Sequence, residues 1–196
     1  MKKIWKRVCT GILALTTILT ALPITSVQAA ETQYWTESAE RVGHVEHLMN
    51  DGTIKSTFNE GHMKVEGETA YCVNINMKFK NGYKTRHNAS ASMSADQIED
   101  VALSIEYMKQ YAGSHSNLSA NQAYLLEQCL VWQRLSEHLG WQCDNVRVVY
   151  SEISQDIQNE VYAGAKSFVK ANKGRYKCGG YIYTGEGQDI GQFWAE

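Results

Sequence analysis

The stretch TAYCVNINMKF, residues 69–79, decides the fold class, because its strict alternation of apolar and polar residues reads as a β-strand and not as a helix. Tyr71, Val73, Ile75, Met77 and Phe79 fall on one face, with Cys72, Asn74, Asn76 and Lys78 on the other. The apolar face is expected to pack on a core, which points Cys72 toward a polar surface. Upstream, GHVEHLM, GTIKSTF and HMKVEG alternate or end in turn residues and read as further strands; downstream, GGYIYTG and DIGQFWA do the same.

Between these strands the period changes. Ser94 caps a helix whose first turn carries Asp96 and Glu99 and whose apolar face runs from Ile98 to Met108 before Gly113. Ser119 with Gln122 forms a capping box that opens a second helix, apolar around so much of its circumference that it must be nearly enclosed, and stopping at Gly140. A third spans about Ile153 to Ala171, with Ile157, Val161, Ala165 and Val169 in register. Strands, then helices, then strands imply an α+β domain: a block of about three helices inserted between N- and C-terminal strands that share one sheet or barrel-like part.

The first 29 residues stand apart. Lys2, Lys3, Lys6 and Arg7 precede an apolar run from Val8 to Leu22, and Val27 and Ala29 satisfy the small-residue rule for cleavage, so residues 1–29 read as a secretory signal peptide. The run is too short for a membrane span, and no membrane insertion is expected after cleavage. Cys9 follows KRV and does not read as a lipid attachment site. Residues 30–196 then form a single domain of about 167 residues, and losing the four basic residues takes the formal charge from −2 to −6. Such an acidic chain is not expected to bind nucleic acid. Glu196 follows no apolar tail, so neither a wall-sorting signal nor a membrane anchor is expected.

Four cysteines follow the leader: Cys72, Cys129, Cys143 and Cys178. In an oxidising compartment the default is two disulfides, with three possible pairings. Cys143 and Cys178 make plausible partners, each just outside a helix and next to a strand, whereas Cys129 sits mid-helix, where a buried inert thiol is the common outcome. No CxxC or HExxH appears, so no metal or other cofactor is expected, and His44 and His47 of HVEH fall on opposite faces of a strand and read as solvated surface. A thiol hydrolase would need a thiolate beside a helix N-terminus and a histidine. Cys72 is mid-strand, and His87, His115 and His138, which follow it, carry no recognisable flanking signature.

Three segments carry more. AYCVN places an aromatic residue before a cysteine, EQCLVW sets Gln128 in an apolar helix four residues before Trp132, and GEGQDIGQFWA sets Gln188 and Gln192 in the closing strand. Together they resemble the thioester domains of Gram-positive bacterial surface adhesins, in which an aromatic residue or Leu precedes Cys, TQxA(I/V)W lies on a helix, and a late glutamine stands among hydrophobics. The likeness runs from about Gly43 to Glu196. It departs from the pattern at Glu127, where the family has Thr, and at Leu130, where it has Ala, and there is no contiguous Cys-Gly-Glu-Gln segment as in complement-type proteins.

The resemblance implies a thioester between Cys72 and the side-chain acyl group of Gln188, with Gln192 the alternative because in QFWA the glutamine is followed by three hydrophobics, which QDIG does not match. It implies that Gln128 orients the bond and that Trp132 and Tyr71 keep it dry. It further implies a secreted or cell-surface bacterial adhesin that couples covalently to a lysine amine on a host or neighbouring-cell protein, a single-use capture and not enzymatic turnover. With Cys72 committed, Cys143–Cys178 is the disulfide candidate and Cys129 the free thiol. The rival readings are a disulfide-stabilised binding module that adheres without a covalent bond, and a secreted thiol hydrolase.

Overall fold

The long strand β1 (Gln33–Leu48) is the element that closes the sheet, in a computed structural model that describes residues 31–48, 51–74, 77–139, 145–149 and 153–196. Its first residues, Gln33–Thr36, pair with β4 (Gly82–Asn88), and from Thr36 onward it pairs with β2 (Ile54–Val65). Around the ring the order continues from β2 to β3 (Glu68–Cys72), β7 (Ile190–Ala195), β6 (Cys178–Thr184) and back to β4, every pairing antiparallel. Six strands thus form a closed barrel, which leaves few unpaired edges, and β5 (Asn145–Val149) adds to the second half of β1. Register shifts between Ser38 and Gly43 bend β1 enough for one strand to serve two neighbours.

The three helices follow as a block: α1 (Ala95–Ser114), α2 (Ala120–Leu139) and α3 (Gln155–Asn172). Their starts are where local chemistry puts them. Ser94 and Gln97 exchange both bonds of a capping box, Ser119 and Gln122 do the same, and Ser154 accepts from the Ile157 N–H. The mixed α+β class, with helices between early and late strands of one sheet, is as the sequence implies. α2 is the buried helix: Leu126, Leu130 and Trp132 enter a core cluster with Cys72, Val45 and Ile190, while Tyr124, Val131 and Leu135 enter a second with Tyr71, Ile182 and Phe193. Each buried leucine contributes about 1.5–3 kcal/mol, so α2 holds the two clusters together.

Four expectations need correction. β3 ends at Cys72 instead of running to Phe79, and Met77 is exposed, because residues 77–81 leave the sheet. Cys72 does not face a polar surface: it is 0% exposed, since the face opposite Tyr71 is covered by α2. GTIKSTF and HMKVEG are parts of one strand, continuous through Gly61. His47 is buried and not solvated, held near Ser56 Oγ where β2 covers β1. The leader, Cys9, Gly140 and Cys143 lie outside the described residues, as does the side chain of His138.

Candidate functional site

β3 meets β7 through Tyr71 opposite Gly191 and Cys72 opposite Ile190, and the Val73 N–H continues the register by donating to the Asp189 carbonyl at 3.1 Å. Because side chains alternate with period two, Cys72 and Ile190 share a face with the residues two before and two after Ile190. Those are Gln188 and Gln192. Both are diagonal cross-strand neighbours of Cys72, within reach of a long side chain. Gly191 leaves room for its neighbours' side chains; a Cβ there would lie 2.6 Å from the Phe193 ring and 3.0 Å from Val73 Cγ1.

On its other edge Cys72 has no strand partner among the described residues. The β2–β3 ladder runs from Val65–Glu68 to Met63–Ala70, and there α2 inserts two side chains one turn apart. The Tyr124 hydroxyl accepts from the Met63 N–H at 3.1 Å and donates to the Ala70 carbonyl at 3.2 Å. The Gln128 carboxamide then stands in for a peptide: its Oε1 accepts from the Cys72 N–H at 2.7 Å and its Nε2 donates to the Cys72 carbonyl at 3.0 Å. This explains a fully buried glutamine in an apolar helix, since each of its polar ends answers a buried backbone group that would otherwise be orphaned. Beside it Glu127 accepts from the Tyr71 hydroxyl at 2.8 Å, which also ties α2 to β3.

The two glutamines differ in surroundings. Gln188 is 5% exposed and donates from Nε2 to the Asn74 carbonyl at 2.7 Å, while its own N–H donates to the Lys78 carbonyl at 3.1 Å. The turn that carries it is clasped to residues 77–84: Lys84 Nζ donates to the Glu186 carbonyl at 2.7 Å, and Lys80 pairs with the Glu186 carboxylate. Gly187, at φ +78°, allows the approach, as a Cβ would fall 2.9 Å from the Lys78 carbonyl. Gln192 is turned along the strand, donating to the Thr69 carbonyl at 3.2 Å and accepting from the Tyr183 hydroxyl at 2.7 Å.

The Trp132 indole and the Asn74 backbone amide both favour negative charge on the sulfur. Burial outweighs them: it pushes the Cys72 thiol well above its ordinary pKa, and the charge of Glu60 adds to the rise. Trp132 packs in the same core cluster as Cys72. Tyr71 and Phe193 lie in the second cluster, on the far side of the strand pair, where Tyr71 stacks on Tyr124 with centroids 5.8 Å apart. Cys129 is a free thiol on α2, bonded to Tyr162 and pushed up to about 12 by burial. Cys178, half-buried at the start of β6, is also free, and its candidate partner Cys143 lies outside the described residues.

Sequence reasoning missed two buried charges. Lys84 anchors the turn before Gln188; burial pulls its ammonium down while Asp189 and Glu186 hold it up. Glu60 is buried in β2 although Met63 and Val65 set the opposite phase, so the alternation breaks at Gly61. A carboxylate just before a glycine in a strand was the available signal. No family model matches this chain, and no curated protein matches it. Among solved structures, the thioester domain of the Staphylococcus aureus TIE protein is similar, with a TM-score of 0.47 and 12% identity over 82% of this chain and 92% of that one. At that distance the likeness says nothing of the chemistry, which has to come from this chain's own side chains.

Proposed function

We propose that Cys72 and Gln188 form an internal thioester, and that the domain is a secreted or surface adhesin that captures an amine on its partner. The observation that carries this is the placement of one buried carboxamide, Gln188, diagonal to one buried thiol, Cys72, with Asn74 bonded to both: its carbonyl accepts from the amide and its N–H meets the sulfur. In forming the bond, sulfur adds to the Gln188 carbonyl carbon, the C–N bond breaks, and the thiol proton leaves with the nitrogen as ammonia. In capture, a lysine amine adds to the same carbon, the C–S bond breaks, and sulfur regains a proton as a thiol. The partner is left joined through an ordinary amide.

Each neighbour has a part in that chemistry. Gln128 fixes the Cys72 peptide, so the sulfur is held in one place with little entropy left to lose. Trp132 and the Asn74 backbone amide favour negative charge on the atom that becomes the leaving group. The enclosure keeps bulk water from the acyl carbon, which suits a bond that must survive until a partner arrives. A thiol hydrolase fits less well, because burial disfavours the thiolate it would need.

Methylamine gives the test. Folded protein treated with it is expected to gain one methylamine by intact mass, Cys72→Ala none, and Gln188→Ala none while Gln192→Ala gains it like wild type. An adduct that persists in Gln188→Ala and vanishes in Gln192→Ala moves the acyl partner to Gln192, and no adduct in wild type removes the capture function.

A further inference from the structure

One row of the sheet leads from Cys72 to the surface. Cys72 lies opposite Ile190, Ile190 opposite Tyr183, and Tyr183 opposite Arg86, so all four side chains project from the same face. The first three are buried and the fourth is exposed. Register on β1 explains the change: its pairing with β4 reaches Gln33 opposite Thr85, and among the described residues no strand covers that edge of β4 from Arg86 onward.

Though exposed, Arg86 is held in place by aromatic rings. Its Cζ lies 4.4 Å from the centroid of the Tyr34 ring and 4.5 Å from that of Tyr181, over both. The rings are themselves braced: Tyr34 meets Tyr183 edge-on with centroids 5.6 Å apart, Tyr181 packs on Trp194 at 5.1 Å, and the Tyr183 hydroxyl is fixed by Gln192. Tyr34, Tyr181 and Trp194 are half-buried, so the guanidinium and its aromatic surround reach solvent together. Acids outnumber bases in this chain, 21 to 19, yet among the described residues no carboxylate forms an ion pair with Arg86. Stacking engages the face of a guanidinium and leaves the N–H groups along its edge, whose fork matches the two oxygens of a carboxylate. Because the rings already immobilise the side chain, little of its freedom is left to lose when such a ligand arrives.

We propose that Arg86, with Tyr34 and Tyr181, is a carboxylate-binding subsite that takes an aspartate or glutamate side chain of the protein whose lysine the thioester captures. The lysine half rests on the Cys72–Gln188 reading above; the carboxylate half stands on the arrangement around Arg86. Three strand spacings separate Cys72 from Arg86, roughly 14 Å along the sheet. An acidic residue about four positions from the lysine in an extended segment spans that interval. Tyrosine, tryptophan and arginine are the residues that dominate binding at protein interfaces, and Tyr34, Tyr181, Trp194 and Arg86 supply all three. Docking of the carboxylate raises the concentration of the lysine near the acyl carbon, so reversible recognition precedes the covalent step.

Two peptides that differ in one residue give the test, one with glutamate four positions from its lysine and one with glutamine there. By intact mass, wild type is expected to couple the glutamate peptide about tenfold faster, the order of one hydrogen bond to a charged group, and Arg86→Gln to couple the two at equal rates. Equal rates in wild type, or a preference that survives in Arg86→Gln, overturns the subsite. Binding without coupling is measured on Cys72→Ala by fluorescence anisotropy of the labelled glutamate peptide. Adding Arg86→Gln is expected to weaken that binding about tenfold, and salt to weaken it as well, since the pair is exposed. If wild type gains neither peptide nor methylamine, the thioester reading fails and the anisotropy alone decides the subsite: Arg86-dependent binding upholds it, and binding that ignores Arg86→Gln overturns it. A glucuronate-containing oligosaccharide that binds Cys72→Ala more tightly than the peptide, and through Arg86, overturns the assignment to an acidic protein segment.

Discussion

Two thiols in this domain are equally buried and differ in almost everything else. Cys72 and Cys129 are each fully enclosed, and burial pushes both upward in pKa. Cys129 projects from the middle of α2 toward Tyr162 on α3, among aliphatic neighbours. Cys72 closes a strand, with its peptide held by Gln128, Trp132 in the same core cluster and the Gln188 carboxamide across the sheet. Burial alone makes an inert thiol; a reactive site needs a second group placed against it by register.

That contrast breaks most sharply by deletion. Cys72→Ala is expected to abolish both the loss of ammonia and the methylamine adduct, while Cys129→Ala leaves both intact; equal behaviour of the two variants by intact mass would erase the distinction. Next comes the scaffold. Gln128→Ala orphans the buried Cys72 N–H and carbonyl, each costing about 1–3 kcal/mol, so urea unfolding is expected to show a loss of about 2–5 kcal/mol together with slower thioester formation. Gln192→Ala removes one bond from Tyr183 and one to Thr69 and is expected to cost only about 1–2 kcal/mol, with the mass change retained.

A pH prediction sharpens the comparison further. Glu60 has its folded pKa raised from 4.5 to about 8, so its contribution to stability is fully present below 4.5 and is lost as pH rises to about 8, because the unfolded chain ionises first. Urea unfolding is expected to show that decline in wild type and its absence in Glu60→Gln. Cys129, raised from 9 to about 12, adds the same kind of loss only above pH 9. A wild-type profile without a Glu60-dependent slope between these limits would mean that the carboxyl is solvated.

What the sequence showed and what it hid divide along physical lines. The helix starts were legible because a cap is a local contract between a side chain and the backbone three residues on, as at Ser94 and Ser119. Cys72, Gln128 and Gln188 were legible as members of a short-motif pattern. Their geometry was not. Alternation through residue 79 suggested a long strand, but the ladder stops at Cys72 and the chain from Met77 instead clasps the turn bearing Gln188, a choice made by tertiary partners such as Lys84 and Glu186. β4, GYKTRHN, has too few apolar residues to announce itself and is a strand because β1 and β6 flank it. Glu60 was hidden for the same reason, since only the roof of α2 makes its carboxyl buried.

Peptide mapping of the folded, untreated protein reaches the central claim most directly. Digestion under mildly acidic conditions followed by tandem mass spectrometry is predicted to yield one cross-linked species, the peptide bearing Cys72 joined to that bearing Gln188, lighter than their sum by one ammonia. Recovery of the two peptides separately, with the carboxamide intact and the thiol open to alkylation, would contradict it.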